Sequence, residues 1–146
     1  MTERKVSVFF YGSYINFAVL REVNLVPDEW EVARLPGFDI SIRPRANLVR
    51  SEQHTVYGIL AAATHAELDR LYAHARDVLG EVYLPEAVLV QGVSGSWRPA
   101  MCYICPAMTP RAAEDAYIDR IVRAAREYGF PSWYIARLEA FRSKES

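Results

Sequence analysis

The sequence predicts a single domain of the α+β class, with strands over most of the chain and helices in its C-terminal third. Segments in which apolar and polar residues alternate, as they do in strands, recur between Val6 and Cys105. Apolar residues at helical spacing follow Thr64 and dominate the chain after residue 116. At 146 residues the chain has the length of one domain, enough to bury about two-thirds of its unfolded surface.

The first predicted element is a strand, since Val6, Val8 and Phe10 alternate with their neighbours. Gly12 allows a turn after it, and we expect Ser13 to cap a helix over residues 14–20. The N–H groups at a helix start have no partner within the helix and bind carboxylate or phosphate readily. The turn is therefore a candidate anion site, and a tight turn without a ligand is the alternative. If the turn binds a ligand, we expect Gly12→Val to weaken binding more than folding.

The pattern predicts five further strands. Pro36 and Gly37 are expected to form a turn between two of them, and Pro85 is expected to lie at a sheet edge or a bulge. A basic, extended connection is expected at residues 43–48. The predicted strands cover residues 30–35, 38–42, 54–61, 82–90 and 97–105.

Three helices are predicted after the third of these strands. Thr64 and Glu67 form a capping box that opens a helix, which Gly80 ends. The pair Thr109-Pro110 is expected to start a second helix, ended by Gly129, and Pro131 starts a third. The residues expected to face the core are Leu68, Leu71, Tyr72, Ala75, Tyr117, Ile118, Ile121, Val122, Ala125, Trp133, Tyr134, Leu138 and Phe141.

Charge and hydropathy argue against several classes of partner. The net charge is −1, from 17 basic and 18 acidic residues, and no dense basic run occurs, which disfavours nucleic acid. Apolar runs stay short of the ~18 residues that cross a membrane. Residues 1–5 are polar, without the apolar core of a signal peptide. We therefore expect a cytoplasmic protein with neither nucleic acid nor a membrane as its partner.

The two cysteines form a Cys102-x-x-Cys105 pair within a predicted strand. Zinc would need two further ligands, and a redox pair usually lies at a helix N-terminus. Residues three apart on a strand point to opposite faces, so we expect two buried structural thiols. His54, His65 and His74 lack helical ligand spacing, and neither a metal nor a cofactor is predicted.

Several motifs together resemble the γ-glutamylcyclotransferase-like family, which includes the AIG2-like proteins. Residues 8–13, Val-Phe-Phe-Tyr-Gly-Ser, are similar to the family's strand and Tyr-Gly-Ser turn. Residues 46–48 and 56–60 resemble its central strand motifs, and residues 67–71 resemble its Glu-Leu-x-x-Leu helix. Residues 117–134 are similar to its C-terminal motif. The order and spacing of these motifs carry the resemblance from Val6 to about Leu138.

The resemblance implies a small mixed β-barrel flanked by helices, and an intramolecular reaction. The α-amine of a γ-glutamyl substrate attacks its own γ-carbonyl, which gives 5-oxoproline and a free amine or amino acid. The substrate is thus a small molecule with a carboxylate. The residues implied to hold its γ-glutamyl head are Tyr11, Gly12, Ser13, Tyr14 and Ile15. Tyr14 departs from the family, in which many members have asparagine there.

A second departure concerns the general base. The position of the family's catalytic glutamate falls on Tyr72, whose phenol is protonated at neutral pH and so is a poor base. We expect Tyr72 to lie in the cavity wall or the core. Glu81, just before the next strand, is the candidate replacement base, and a solvent-facing glutamate at a strand start is the alternative. Arg43 and Arg45 are candidates to reach an anionic substrate group, or are simply solvated.

Two other functions stay open at this point. One is a non-catalytic domain of the same fold that binds a small carboxylate ligand or a protein. The other is different chemistry in the same cavity. A carboxylate facing the 12–15 turn would favour the enzyme, whereas a cavity lined only by Tyr72 and apolar groups would favour the binding domain.

Overall fold

The structure is a computed structural model that describes residues 4–142. Its strands are β1 (Lys5–Phe10), β2 (Asp28–Ile42), β3 (Ala46–Thr64), β4 (Leu84–Gly92) and β5 (Trp97–Ile104). Its helices are α1 (Phe17–Arg21), α2 (His65–Asp77), α3 (Asp115–Glu127) and α4 (Ser132–Glu139), and a 3₁₀ turn covers Gly12–Ile15. No helix in this part of the chain is long and apolar enough to cross a membrane.

The five strands close into a mixed barrel in the order β1, β3, β2, β4, β5. All neighbours are antiparallel except β1 and β5, which meet in parallel where Val8 pairs with Met101. The helices lie outside the barrel, and α3 packs against α4 and the 3₁₀ turn. The predicted mixed barrel flanked by helices is confirmed.

The barrel is held by long-range apolar packing. Phe9 and Phe10 of β1 and Ile59 of β3 are essentially inaccessible to solvent and belong to one core with residues from every other strand. Adjacent strand residues point to opposite faces, so Phe9 lies on one face of the barrel wall and Phe10, with its partner Ile59, on the other. The predicted stripe of α3 is also confirmed, since Tyr117, Ile118, Ile121, Val122 and Ala125 are all buried. Burying such apolar area contributes roughly 25 cal/mol per Å² to the free energy of folding.

The predicted start of the first helix was wrong. Gly12 has a φ of +63°, and the chain makes a 3₁₀ turn before the helix begins. The cap of α1 is Asn16 rather than Ser13, because the Asn16 backbone is extended and its Oδ1 accepts the Ala18 N–H at 3.1 Å. Ser13 is thereby left within the turn, beside the cleft described below.

Three other local expectations were wrong. Pro36 and Gly37 lie within β2, where the register with β3 shifts, because Gly37 at φ +89° absorbs the irregularity without ending the strand. The expected extended connection is a tight turn at residues 43–45, after which β3 begins at Ala46. Thr109-Pro110 starts no helix, since the apolar spacing that buries α3 begins only at Tyr117.

The expectations for the other helix ends and for Pro85 hold. Thr64 and Glu67 form both bonds of the capping box of α2, and Gly129 follows α3 at φ +73°. Pro85 lies where β4 pairs with β5, away from the two residue pairs that join β4 to β2. Trp133, which we expected to face inward, is 55% exposed, because only the Tyr134 and Leu138 side of α4 is buried.

Candidate active site

A cleft opens at one end of the barrel between the 3₁₀ turn, the start of β3 and the segment that follows α2. The free space inside it is about 30 Å³. Six of its eleven lining residues are tyrosines. The lining consists of Tyr11, Ser13, Tyr14, Arg45, Ala46, Tyr72, Leu79, Glu81, Tyr83, Tyr103 and Tyr117.

Ala46 is held in the cleft by contacts with three other segments of the chain. Its N–H donates to the Tyr117 hydroxyl oxygen at 2.9 Å, and its carbonyl accepts from the Tyr83 hydroxyl at 2.6 Å. A Cβ on Gly12 would lie 2.2 Å from the Ala46 Cβ, so the turn fits against β3 only with glycine at position 12. Both peptide bonds of Ala46 are thus tied to tyrosines on other elements, which fixes the turn relative to the strand.

The tyrosines form one packed wall. Tyr72 stacks on Tyr103 with ring centroids 3.8 Å apart, and the Tyr14 and Tyr83 rings lie 5.8 Å from it. The Tyr11 hydroxyl donates to the Tyr103 carbonyl at 2.6 Å. Such aromatic contacts add about 0.5–1.5 kcal/mol each beyond area burial.

Burial keeps these phenols neutral. Desolvation raises the pKa of Tyr72 well above its usual value, and nearby Tyr14 adds to the rise. Desolvation likewise raises the pKa values of Tyr11, Tyr14 and Tyr83. A phenol that stays protonated is a hydrogen-bond donor rather than a base. Tyr72 lies in the cleft wall, as the sequence led us to expect.

Glu81 is the carboxylate among the cleft-lining residues. It is partly buried. Its backbone N–H donates to the Ala75 carbonyl at 3.0 Å, which ties it to the last turn of α2. Its Oε2 lies 3.6 Å from the sulfur of Cys105. A carboxylate therefore shares the cleft with the 3₁₀ turn.

The remaining predicted site residues divide into two groups. Tyr11, Ser13 and Tyr14 line the cleft beside Glu81. Gly12 lies behind it against Ala46, and the Ile15 side chain, 1% exposed, packs in the core. The Ile15 carbonyl accepts from the Tyr128 hydroxyl at 2.8 Å. The structure thus places Ile15 as an anchor of the turn rather than in the cleft lining.

The sequence did not point to Tyr83, Tyr103 and Tyr117 as site residues. Tyr117 appeared as one member of an apolar stripe and as the first residue of the C-terminal family motif, and Tyr103 as one of the two residues inside the cysteine pair. The one local signal for these site residues is their residue type. A buried tyrosine, unlike a buried leucine, has a hydroxyl group that usually forms a hydrogen bond.

A second hollow continues from the cleft and is lined by basic and acidic side chains. The two share Ser13, Tyr14, Arg45, Leu79 and Tyr117, and the second also reaches Glu22, His74 and Arg120. The Arg45 guanidinium lies 5.1 Å from the centre of the Tyr117 ring. Arg43 is exposed and lines neither hollow. Of the two arginines weighed from the sequence, Arg45 is therefore the one that reaches the cleft.

The cysteines are free and buried, as expected from the sequence. Burial raises the pKa of the Cys102 thiol to about 12. Within residues 4–142 no group of three or more His, Cys, Asp or Glu side chains is arranged to hold a metal ion.

Comparison with known proteins bears on the fold. No protein-family model and no curated protein sequence matches the chain. A solved structure described as a gamma-glutamyl cyclotransferase superposes with a TM-score of 0.80 at 20% identity, covering 98% of this chain and 91% of that one. An uncharacterized protein from Homo sapiens gives 0.78 at 22% identity, with 99% and 92% covered. A glutathione-specific gamma-glutamyl cyclotransferase from yeast gives 0.60 at 15% identity, with 94% and 97% covered. The chain has the γ-glutamylcyclotransferase-like fold.

Proposed function

We propose that this protein is an enzyme that cyclises a γ-glutamyl or closely related small amide and releases 5-oxoproline, with Glu81 as its general base. The observation that carries the proposal is the position of Glu81 in the same cleft as Ser13 and Tyr14 of the 3₁₀ turn. The superposed cyclotransferases support it at the level of the fold.

Two protons leave the α-nitrogen of the substrate, and both end on the leaving amine. Glu81 takes the first proton from the α-ammonium, and the freed amine attacks the γ-carbonyl carbon. A new C–N bond closes the five-membered ring, the original amide C–N bond breaks, and Glu81 passes its proton to the leaving nitrogen. The restored carboxylate then takes the second proton from the ring nitrogen and passes it to the leaving amine, which departs as an ammonium. Tyr11 and Tyr83 already donate to the Tyr103 and Ala46 carbonyls, so the donor for the oxygen that gains negative charge is another neutral phenol of the cleft, such as Tyr14.

Binding of the substrate head follows from the same residues. We expect the backbone N–H groups between Gly12 and Ile15 to hold its α-carboxylate, since main-chain donors and a nearby cation suit an anion. Arg45, which faces both hollows, supplies that cation. Tyr72 contributes an aromatic wall.

The test is 5-oxoproline release from a panel of γ-glutamyl dipeptides and γ-glutamylamines. Glu81→Gln keeps the shape of the side chain and removes its basic lone pair, so turnover should fall ~100- to 10,000-fold while substrate binding persists. Asp77→Asn is the matched control, because Asp77 lies four residues away and pairs with Arg76 at the surface. Full activity in Glu81→Gln would contradict the assignment.

A second candidate function is a non-catalytic domain that binds a small carboxylate ligand in the same cleft. The tyrosine at position 72, where the resemblance implies a catalytic glutamate, favours it. Calorimetry on the same panel distinguishes the two functions, because this candidate predicts binding without product release by the wild-type protein.

A further inference from the structure

The side chain of Glu81 has a partner outside the cleft lining. The sulfur of Cys105 lies 3.6 Å from Glu81 Oε2, within the range of a weak S–H donor. Cys105 is 3% exposed and does not line the cleft. The thiol therefore contacts the carboxylate from within the protein.

Asn47 fixes the backbone of Cys105. Its Oδ1 accepts the Cys105 N–H at 2.9 Å, and its Nδ2 donates to the Cys105 carbonyl at 2.7 Å. These two side-chain bonds fasten Cys105, which follows β5, to β3 next to Ala46, whose own peptide bonds are tied to Tyr83 and Tyr117. The sulfur is thereby held in a fixed place relative to the cleft.

The thiol of Cys105 stays protonated beside the carboxylate. Burial raises the pKa of this thiol, and the negative charge of Glu81 also favours the protonated form. A protonated thiol is a donor and a carboxylate is an acceptor, so the S–H of Cys105 donates to Glu81 Oε2.

We propose that Cys105 is a positioning residue, whose thiol holds the Glu81 carboxylate in the orientation that faces the cleft. The inference rests on the proposed function of Glu81 as the general base. Glu81 follows the end of α2 in a segment without regular structure, where its side chain would otherwise sample several rotamers. A base contributes to rate only when it stands within hydrogen-bond reach of the proton it takes.

Steady-state kinetics test the catalytic consequence. Because misplacing a reacting group by about 1 Å can cost ~100-fold, Cys105→Ala should lower kcat about 10- to 100-fold. KM should stay within about twofold, since the lost contact does not bind substrate. Cys105→Ser keeps a donor and should restore most of kcat. Cys102→Ala, which removes the other buried thiol, is the control for stability and should leave kcat unchanged. Equal kcat values in Cys105→Ala and the wild type would overturn the proposal.

A spectroscopic measurement tests the contact without any turnover. The S–H stretching band shifts to lower frequency when a thiol donates to a stronger acceptor. The chain has two cysteines, so the Cys102→Ala and Cys105→Ala variants assign the two bands. Glu81→Ala should move the Cys105 band to higher frequency and leave the Cys102 band in place. A Cys105 band that does not move overturns the proposal. Absence of any 5-oxoproline release by the wild-type protein would instead overturn the proposed function.

Discussion

Gly12 and Ala46 lie so close together that a side chain at position 12 would clash with the methyl group of Ala46. A Cβ on Gly12 would lie 2.2 Å from the Cβ of Ala46. Gly12 also has a φ of +63°, a conformation that costs other residues about 1–2 kcal/mol. The glycine of the turn therefore has a packing role in addition to any contact with a ligand, which argues against our expectation that Gly12→Val mainly affects binding.

We expect Gly12→Ala to lower the free energy of unfolding by about 3 kcal/mol, from backbone strain together with overpacking. Ala46→Gly removes the opposing methyl group. The double variant should therefore recover the packing part of the loss and keep the backbone part. Urea denaturation of the two single variants and the double variant measures this coupling. Strictly additive losses would show that the Gly12–Ala46 contact does not limit the turn.

The sequence predicts those elements whose signals lie within a few residues. The capping box pairs Thr64 with Glu67, and Gly129 ends α3 at positive φ. Neither depends on the rest of the fold. The barrel itself followed from the family resemblance, because pairings such as Val8 with Met101 join distant parts of the chain.

Other features depend on contacts that sequence spacing does not show. Both Ser13 and Asn16 are good helix caps by residue type, and Asn16 is the cap because the chain first makes a 3₁₀ turn over Gly12–Ile15. Tyr117 enters the cleft because its hydroxyl meets a peptide bond 71 residues earlier. The Cys105 and Glu81 side chains come together only after β5 has paired with β4.

Substitutions at Tyr72 test whether its phenol hydroxyl contributes to the chemistry. Its ring stacks on Tyr103, and burial raises its pKa, so we expect packing to be its main role. Tyr72→Phe should keep the stack and change turnover only a few-fold, well short of the ~100-fold loss for removal of a general acid or base. Tyr72→Ala should lower the unfolding free energy by about 3 kcal/mol. Loss of activity in Tyr72→Phe beyond ~100-fold would assign the hydroxyl a catalytic role.

Arg45 and Arg43 form a matched pair for testing recognition of the substrate carboxylate. Arg45 lines both hollows, whereas Arg43, two residues earlier, is exposed and lines neither. A hydrogen bond to a charged group contributes about 1.5–3 kcal/mol. Arg45→Gln should therefore raise KM for γ-glutamyl substrates about 10-fold or more, and Arg43→Gln should leave it unchanged. Equal effects of the two changes would point to general electrostatic attraction rather than a contact in the cleft.

The burial of the Cys102 thiol predicts how the unfolding free energy of the protein changes at alkaline pH. Burial raises its pKa from 9.0 to about 12 in the folded protein, whereas in the unfolded chain the thiol is solvated and ionises at its ordinary value. Below pH 9 both states hold the proton, and stability does not depend on this group. Between about pH 9 and pH 12 the unfolded state loses the proton first. The unfolding free energy should therefore fall by up to about 1.4 kcal/mol per pH unit on account of this thiol.

Denaturant unfolding at pH 8, 9, 10 and 11 measures this slope in the wild type and in Cys102→Ala. The buried tyrosines, whose pKa values are also raised, add their own alkaline dependence in both proteins. The diagnostic quantity is thus the difference between the two slopes. Cys102→Ala leaves a small cavity and should be less stable at pH 8, yet its stability should fall less steeply as the pH rises above 9. Parallel curves would mean that the Cys102 thiol ionises as readily in the folded protein as in the unfolded chain.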